Sequence, residues 1–237
     1  MGNSKVYLIP NTLGEETNIA ASIPSYNIDV IKQLHYFAVE HLKDSRRFLI
    51  RCGLKHKINE SVFIEFNNKS NLEQLDKIIA ILKAGNALGI ISDAGCPGIA
   101  DPGAKIVAAA HRNNIAVEPL VGPSSILLAL IASGFNGQSF TFHGYLPREV
   151  EKRIKKLQQI ELQSAKNKQT QIFMETPYRN EALFNDILKH LSLKTKLSIA
   201  TDITLPTEYI KSKTIKEWKS DPQPKLHKRP TIFLLLG

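Results

Sequence analysis

The stretch ALGIISDAGCPGIADPGAKIVAAAHRNN, residues 87–114, decides the fold. It opens with a short apolar run, Ala87–Ser92, of the kind that forms a strand buried on both faces. It closes with Ala104–Asn113, whose apolar residues recur at helical spacing. Between them, Ser92–Gly103 carries three glycines and two prolines. That composition makes a rigid loop whose backbone can approach a ligand closely. Asp101 before Pro102 reads as a helix N-cap with proline at the first helical position. Strand, loop and helix in this order form the unit of an open parallel sheet, where ligands settle at the carboxyl ends of the strands. The loop has neither the Gly-Lys-Ser/Thr of a phosphate-binding loop nor the Gly-x-Gly-x-x-Gly of a dinucleotide site.

The same alternation continues in both directions. The residues predict strands at Val6–Ile9, Tyr36–Val39, Val62–Glu65 and Ala116–Pro119, and a second series at Ser139–His143, Thr170–Glu175, Leu197–Thr201, Glu208–Lys211 and Thr231–Leu236. Helices are expected at Leu72–Lys83, Ser125–Ser133, Glu149–Gln163 and Arg179–Leu191. Ten strands are many for one sheet of this length, and the series breaks near Leu120-Val121-Gly122-Pro123. Two α/β halves follow, residues 1–120 and 121–237. Asp221–Lys225 is a polar loop before the last strand.

Composition narrows the class of molecule. Over 237 residues, 43% hydrophobic and 22% charged residues describe a globular chain. No apolar run reaches the roughly 18 residues needed to cross a bilayer. Met1–Lys5 leads into the first strand with no secretory segment, so a cytoplasmic protein with no membrane partner is expected. Cys52 and Cys96 are too few for a disulfide framework or a metal site, and no metal is expected. The formal charge of +9 favours acidic partners, nucleic acid first.

Two further strand ends carry informative residues. Pro119–Ser125 runs from a strand into a helix, where hydroxyls and free amides can hold a carboxylate or a ribose oxygen, and where Ser124 can equally be a cap. Phe173–Arg179 places Met174, a flexible apolar contact, beside the carboxylate of Glu175 and the guanidinium of Arg179.

Taken in order, Ser92–Gly103, Gly122-Pro123-Ser124 and Glu175–Arg179 resemble the tetrapyrrole methylase superfamily, and within it the branch that methylates small-subunit ribosomal RNA. The likeness extends to Pro10–Gly14, to Phe142–Arg148 and to the closing strand after Arg229-Pro230. It implies two αβα domains with mostly parallel sheets, S-adenosyl-L-methionine in the interdomain cleft, and a homodimer acting on ribosomal RNA or the small ribosomal subunit. It carries cofactor contacts over to Leu13, Asp93, Ala94, Gly95, Gly98, Ser124, Ser125 and Met174. The family's Glu-Asp-Thr-Arg run is replaced here by Glu40-His41-Leu42-Lys43-Asp44-Ser45-Arg46-Arg47. The opening loop is Pro-Asn-Thr-Leu-Gly rather than the commoner Pro-x-Pro-Ile-Gly-Asn.

The implied reaction is an in-line methyl transfer governed by positioning, with a side chain receiving the acceptor's proton. Glu40, Asp101 and Glu175 are the candidates for that role. Arg46, Arg47, Arg148 and Arg179 are candidate contacts to the substrate. Two basic clusters, Arg46 to Lys57 and Arg148 to Lys156, offer phosphate contacts or solvated helix faces. Methylation of a tetrapyrrole or another small molecule is the alternative activity. A binding protein that kept the cofactor site without catalysis is the other.

Overall fold

The computed structural model describes residues 4–70, 72–222 and 224–237. Met1, Gly2 and Asn3 of the opening segment and Gln223 of the polar loop lie outside them. The chain divides after Ser124 into two compact units.

In the first unit the strands are β1 (Lys5–Ile9), β2 (Tyr36–Val39), β3 (Val62–Glu65), β4 (Leu88–Ile91) and β5 (Ala116–Pro119). Their order is β3-β2-β4-β1-β5, and every pairing is parallel. The helices are α1 (Ile19–Ser22), α2 (Ser25–Gln33), α3 (Leu42–Leu49), α4 (Leu72–Lys83) and α5 (Gly103–Arg112). Alternate residues along the strands point to opposite faces and feed two separate cores. Phe37, Val39 and Ile91 pack with Val30 and Ile31 of α2 and Phe48 and Leu49 of α3. Ala38, Leu88 and Ile90 pack with Ile78 and Leu82 of α4 and Ile106 and Ala110 of α5. Helices therefore cover both faces, which is why these strands read as unbroken apolar runs.

The second unit holds β6 (Phe140–Tyr145), β7 (Thr170–Met174), β8 (Lys196–Thr201), β9 (Tyr209–Thr214) and β10 (Thr231–Leu236), in the order β6-β7-β10-β8-β9. Its helices are α6 (Ser125–Ser133), α7 (Val150–Asn167), α8 (Asn180–His190) and α9 (Ile215–Ser220). Parallel pairings outnumber antiparallel ones in the two sheets together, but the three antiparallel pairings all lie here, around β10 and β8. The connection from β8 to β9 is too short for a crossover helix, so the pair closes as a hairpin. Leu157, Ile160, Phe173, Phe184, Ile187, Trp218 and Phe233 form one core beneath α7, α8 and α9. Trp218 donates its indole N–H to the Leu197 carbonyl at 2.9 Å, which satisfies its polar atom in that core. Helix α6 packs on the same sheet through β8, β9 and β10.

The second basic cluster of the sequence is divided by this packing. Arg148 is exposed in the turn after β6. Arg153 is buried, paired with Asp186 at 2.6 Å and donating to the Arg148 carbonyl at 3.0 Å. Arg153 is thus a core residue and not a phosphate contact. Removing one partner of a buried pair strands the other charge, so Arg153→Ala is expected to cost about 3–5 kcal/mol. Arg148→Ala is expected to stay within about 0.5 kcal/mol of the parent. Urea unfolding followed by the fluorescence of Trp218, the single tryptophan, measures both.

Candidate functional site

Because all five strands of the first sheet are parallel, their carboxyl ends share one edge. The loops after β1, β4 and β5 are tied together there. Asn11 and Gly95 exchange two backbone hydrogen bonds, Asn11 N–H to Gly95 O at 2.9 Å and the reverse at 3.2 Å. The buried Asn11 amide also donates to the carbonyls of Ser92 and Asp93, each at 3.1 Å. Its Oδ1 accepts from the Thr12 N–H at 2.8 Å. Ser92 Oγ closes the turn onto Gly95 O at 2.9 Å. From the third loop, the Pro123 carbonyl accepts a weak bond from Cys96 Sγ at 3.4 Å, and Val121 O accepts from the Asn27 amide at 2.7 Å.

Two glycines permit this convergence. Gly95 holds φ of +68°, and a Cβ there would lie 3.2 Å from the Pro123 carbonyl. A Cβ on Gly122 would fall 2.2 Å from Pro10 Cβ, well inside contact distance. Gly98, also at positive φ, has open space where a Cβ would stand.

Beside the tied loops lies a cavity of about 520 Å³, lined among others by Leu13, Asp44, Arg47, Phe48, Arg51 and Asp93. The structure therefore brings Leu13, Asp93 and Arg47 together, with Ala94, Gly95 and Gly98 on the adjoining loop. Arg46 points elsewhere, with its guanidinium over the Phe63 ring and bonded to Asn59 Oδ1 at 2.7 Å. The run from Glu40 to Arg47 forms the start of α3, with Asp44 in its first turn and both arginines in its last, each sign suited to that end of the helix dipole.

Acidic groups cluster behind the cavity. Glu40 Oε2 accepts from the Asp93 N–H at 3.2 Å. Burial pushes the Glu40 carboxyl above its usual range, against that hydrogen bond and with help from the charges of Asp93 and Asp101. Helix α5 begins at Gly103 with Pro102 as its N-cap, one residue later than the sequence suggests. Asp101 Oδ1 accepts from Gly98 N at 2.8 Å and Gly103 N at 2.7 Å, so it holds the helix's first amide and fixes the loop at once. Burial also raises the Asp101 carboxyl, opposed by those two amides. Its Oδ2 has no hydrogen-bond partner among the described residues. His41 Nδ1 meets Asp93 Oδ2 at 2.6 Å, and this bond followed by the aspartate's charge raises the imidazole's pKa. The sequence offered one signal for His41: an imidazole next to a carboxylate at a strand end. Burial raises Cys96 and pushes Cys52 up to about 12, so both stay as thiols at neutral pH.

In the second unit, Ser125 opens α6, preceded by Ser124, and Met174 ends β7 half-buried. Glu175 is buried and engaged: its Oε1 accepts from the Arg179 guanidinium and, at 2.6 Å, from the Thr176 N–H. Arg179 also donates to Thr176 Oγ1 at 3.1 Å. The pair therefore braces the turn that leaves β7.

Comparison with known proteins places these features in a wider set. The family model for Tetrapyrrole (Corrin/Porphyrin) Methylases matches residues 38–219. Ribosomal RNA small subunit methyltransferase I of Buchnera aphidicola subsp. Schizaphis graminum is 29% identical, over 98% of this chain and 78% of the relative. The protein of the same name from Thermotoga maritima is 30% identical, over 81% of this chain and 83% of the relative. Among solved structures, uroporphyrin-III C-methyl transferase from Thermus thermophilus, complexed with S-adenyl homocysteine, superimposes with a TM-score of 0.56. It is 15% identical, with 98% of this chain and 97% of that one covered.

The double duty of Asp101 gives a test. Asp101→Ala leaves the Gly98 and Gly103 amides without their acceptor and is expected to cost about 1–3 kcal/mol, as unsatisfied buried donors do. Asp101→Asn keeps Oδ1 and cannot ionise. A carboxyl with a raised folded pKa contributes stability that is fully present below its unfolded pKa and is lost as pH rises through the folded one. Denaturant unfolding from acid to neutral pH should therefore show a smaller loss of stability for Asp101→Asn than for the parent.

Proposed function

The chain belongs to the tetrapyrrole (corrin/porphyrin) methylase family, and from that membership we propose that it methylates a ribose 2′-hydroxyl in small-subunit ribosomal RNA. It is a methyltransferase, and its methyl donor is S-adenosyl-L-methionine. The observation that carries the reading is the knot of loops at Asn11, Asp93 and Gly95 with a cavity beside it, in a chain whose curated relatives bear the name of a ribosomal RNA methyltransferase.

The residues of that cavity suit the donor. Leu13 and Phe48 offer apolar walls, while Asp93, Asp44 and Glu15 supply carboxylates suited to ribose hydroxyls and a sulfonium. When bound, S-adenosylmethionine supplies a methyl carbon made electrophilic by its positive sulfur. Leu13, Asp93, Ala94, Gly95 and Gly98 are proposed to hold it, with Ser124, Ser125 and Met174 as further contacts. The loop's task is orientation, since a near-attack geometry supplies most of what such a displacement requires. Of the carboxylates proposed as proton acceptors, Asp101 and Glu175 already bind neighbouring donors through one oxygen, and Glu40 holds the amide of Asp93.

Arg46, Arg47, Arg148 and Arg179 are proposed contacts to the RNA backbone, a role in keeping with the formal charge of +9. The chain is proposed to act in the cytoplasm, and no described helix is long and apolar enough to cross a membrane. A homodimer is proposed, supported by exposed Leu127 and Ile131, one turn apart on α6.

Radiolabelled S-adenosylmethionine, incubated with the protein and small ribosomal subunits from a strain lacking it, tests the reading. Label is expected in RNA and, after digestion, in a 2′-O-methylnucleoside. Donor binding without label in RNA would move the acceptor to a tetrapyrrole or another small molecule.

A further inference from the structure

We propose that His41, oriented by Asp93, is the base that takes the proton from the acceptor hydroxyl. This rests on the ribose 2′-hydroxyl being the acceptor. The tautomer follows from the contact itself. An ionised carboxylate only accepts hydrogen bonds, so the 2.6 Å contact requires that Nδ1 of His41 carry the proton and donate it to Asp93 Oδ2. The neutral imidazole then has its lone pair on Nε2. Asp93 fixes the ring as it meets the solvent, with the His41 side chain 64% exposed. The backbone N–H of Asp93 is in turn held by Glu40 Oε2 at 3.2 Å, which steadies the loop that carries Asp93 to the cavity it helps to line. A neutral imidazole and a carboxylate that orients it are the parts a proton acceptor needs, and Glu40 braces the main chain of that carboxylate's residue.

The proton balance is simple. As the 2′-oxygen forms its bond to the methyl carbon, the carbon–sulfur bond breaks and its electron pair stays on sulfur. The hydroxyl proton passes to Nε2 of His41, and the imidazolium formed is stabilised by Asp93 until water removes the proton. The charged groups around the ring are Asp93 on the loop after β4, Glu40 at the end of β2 and Asp44 on α3. All three are acidic and favour the imidazolium. The amino-terminal end of α3, which His41 immediately precedes, acts in the opposite sense. On balance the imidazole holds its proton to a higher pH than usual. A base must be neutral to accept a proton, so kcat/KM should rise with pH to a plateau, its midpoint above the ordinary histidine value of about 6.5.

Glu40 and Asp93 are positioning residues in this scheme, and His41 is the catalytic one. The test compares the full chain with its His41→Gln and Asp93→Asn variants, using small ribosomal subunits as acceptor. His41→Gln is expected to lower kcat by about 10²-fold or more and to abolish the pH limb. Its KM for S-adenosylmethionine and its thermal unfolding should be unchanged, because the side chain is exposed. In the free protein, NMR titration of the His41 ring should show a midpoint above the ordinary value, and Asp93→Asn should bring it down. A His41→Gln enzyme within about twofold of the parent would overturn the assignment, as would a His41 titration unmoved by Asp93→Asn. Labelled RNA with an unaffected His41→Gln variant would sink the role of His41 alone. A parent enzyme that labels no RNA would overturn the ribose reading and this assignment together.

Discussion

Asn11 and Gly95 lie far apart in the chain, and the pair of hydrogen bonds they exchange joins the ends of β1 and β4. Those strands are neighbours in an all-parallel sheet, so their loops leave from the same edge. Nothing in strand pairing obliges the loops to meet above it. Reciprocal backbone bonds make them meet, the Asn11 side chain secures the turn from behind, and Gly122 brings the third loop against Pro10. Buried amides and carbonyls that would otherwise lack partners are satisfied within the knot. A site assembled this way has a rigid backbone before any ligand arrives, as a reaction controlled by orientation requires.

The electrostatics of the first unit follow from that backbone. Glu40, Asp93 and Asp101 come close together because each is tied to a main-chain amide or to His41 near the loop after β4. Burial is the main reason the carboxyls of Glu40 and Asp101 are raised, and the neighbouring acidic charge adds to it. The nearby imidazole of His41 gains basicity chiefly from its hydrogen bond to Asp93, and then from the acidic charge around it. The acidic cluster and the raised histidine are thus two consequences of one arrangement. In a chain of net charge +9, a local concentration of acids beside the cavity suits a cationic sulfonium, while basic residues elsewhere suit RNA.

Much of the fold was legible in the residues. All ten strands were visible, the central ones as short apolar runs because strands covered by helices must be apolar on both faces, and the edge strand β9 despite its lysines. What escaped were α1, α2, α3 and α9, helices too short or too polar to show a clear period. Helix α9 announced itself in another way, through Thr214 and Glu217, which form a capping box. Helix α3 was hidden because Glu40–Arg47 invited comparison with a family motif rather than a reading of Ser45, Phe48 and Leu49 as its buried face. The antiparallel pairings of the second sheet could not be read either, since strand direction depends on the path of loops rather than on strand composition. At the site, the glycine-rich loop was legible because turns demand particular residues. Asn11 and the burial of Arg153 were not, because their meaning lies in partners distant in sequence, and His41 showed only as an imidazole beside a carboxylate, without the Asp93 contact that gives it a role.

Hydrogen exchange of the free protein with and without S-adenosylhomocysteine tests whether the knotted loops of the first unit are where the methyl donor is held. Added protection is expected for the amides in residues 11–14 and 93–98, with α4 unchanged. Binding that leaves both loops exchanging as in the free protein would contradict that placement of the donor.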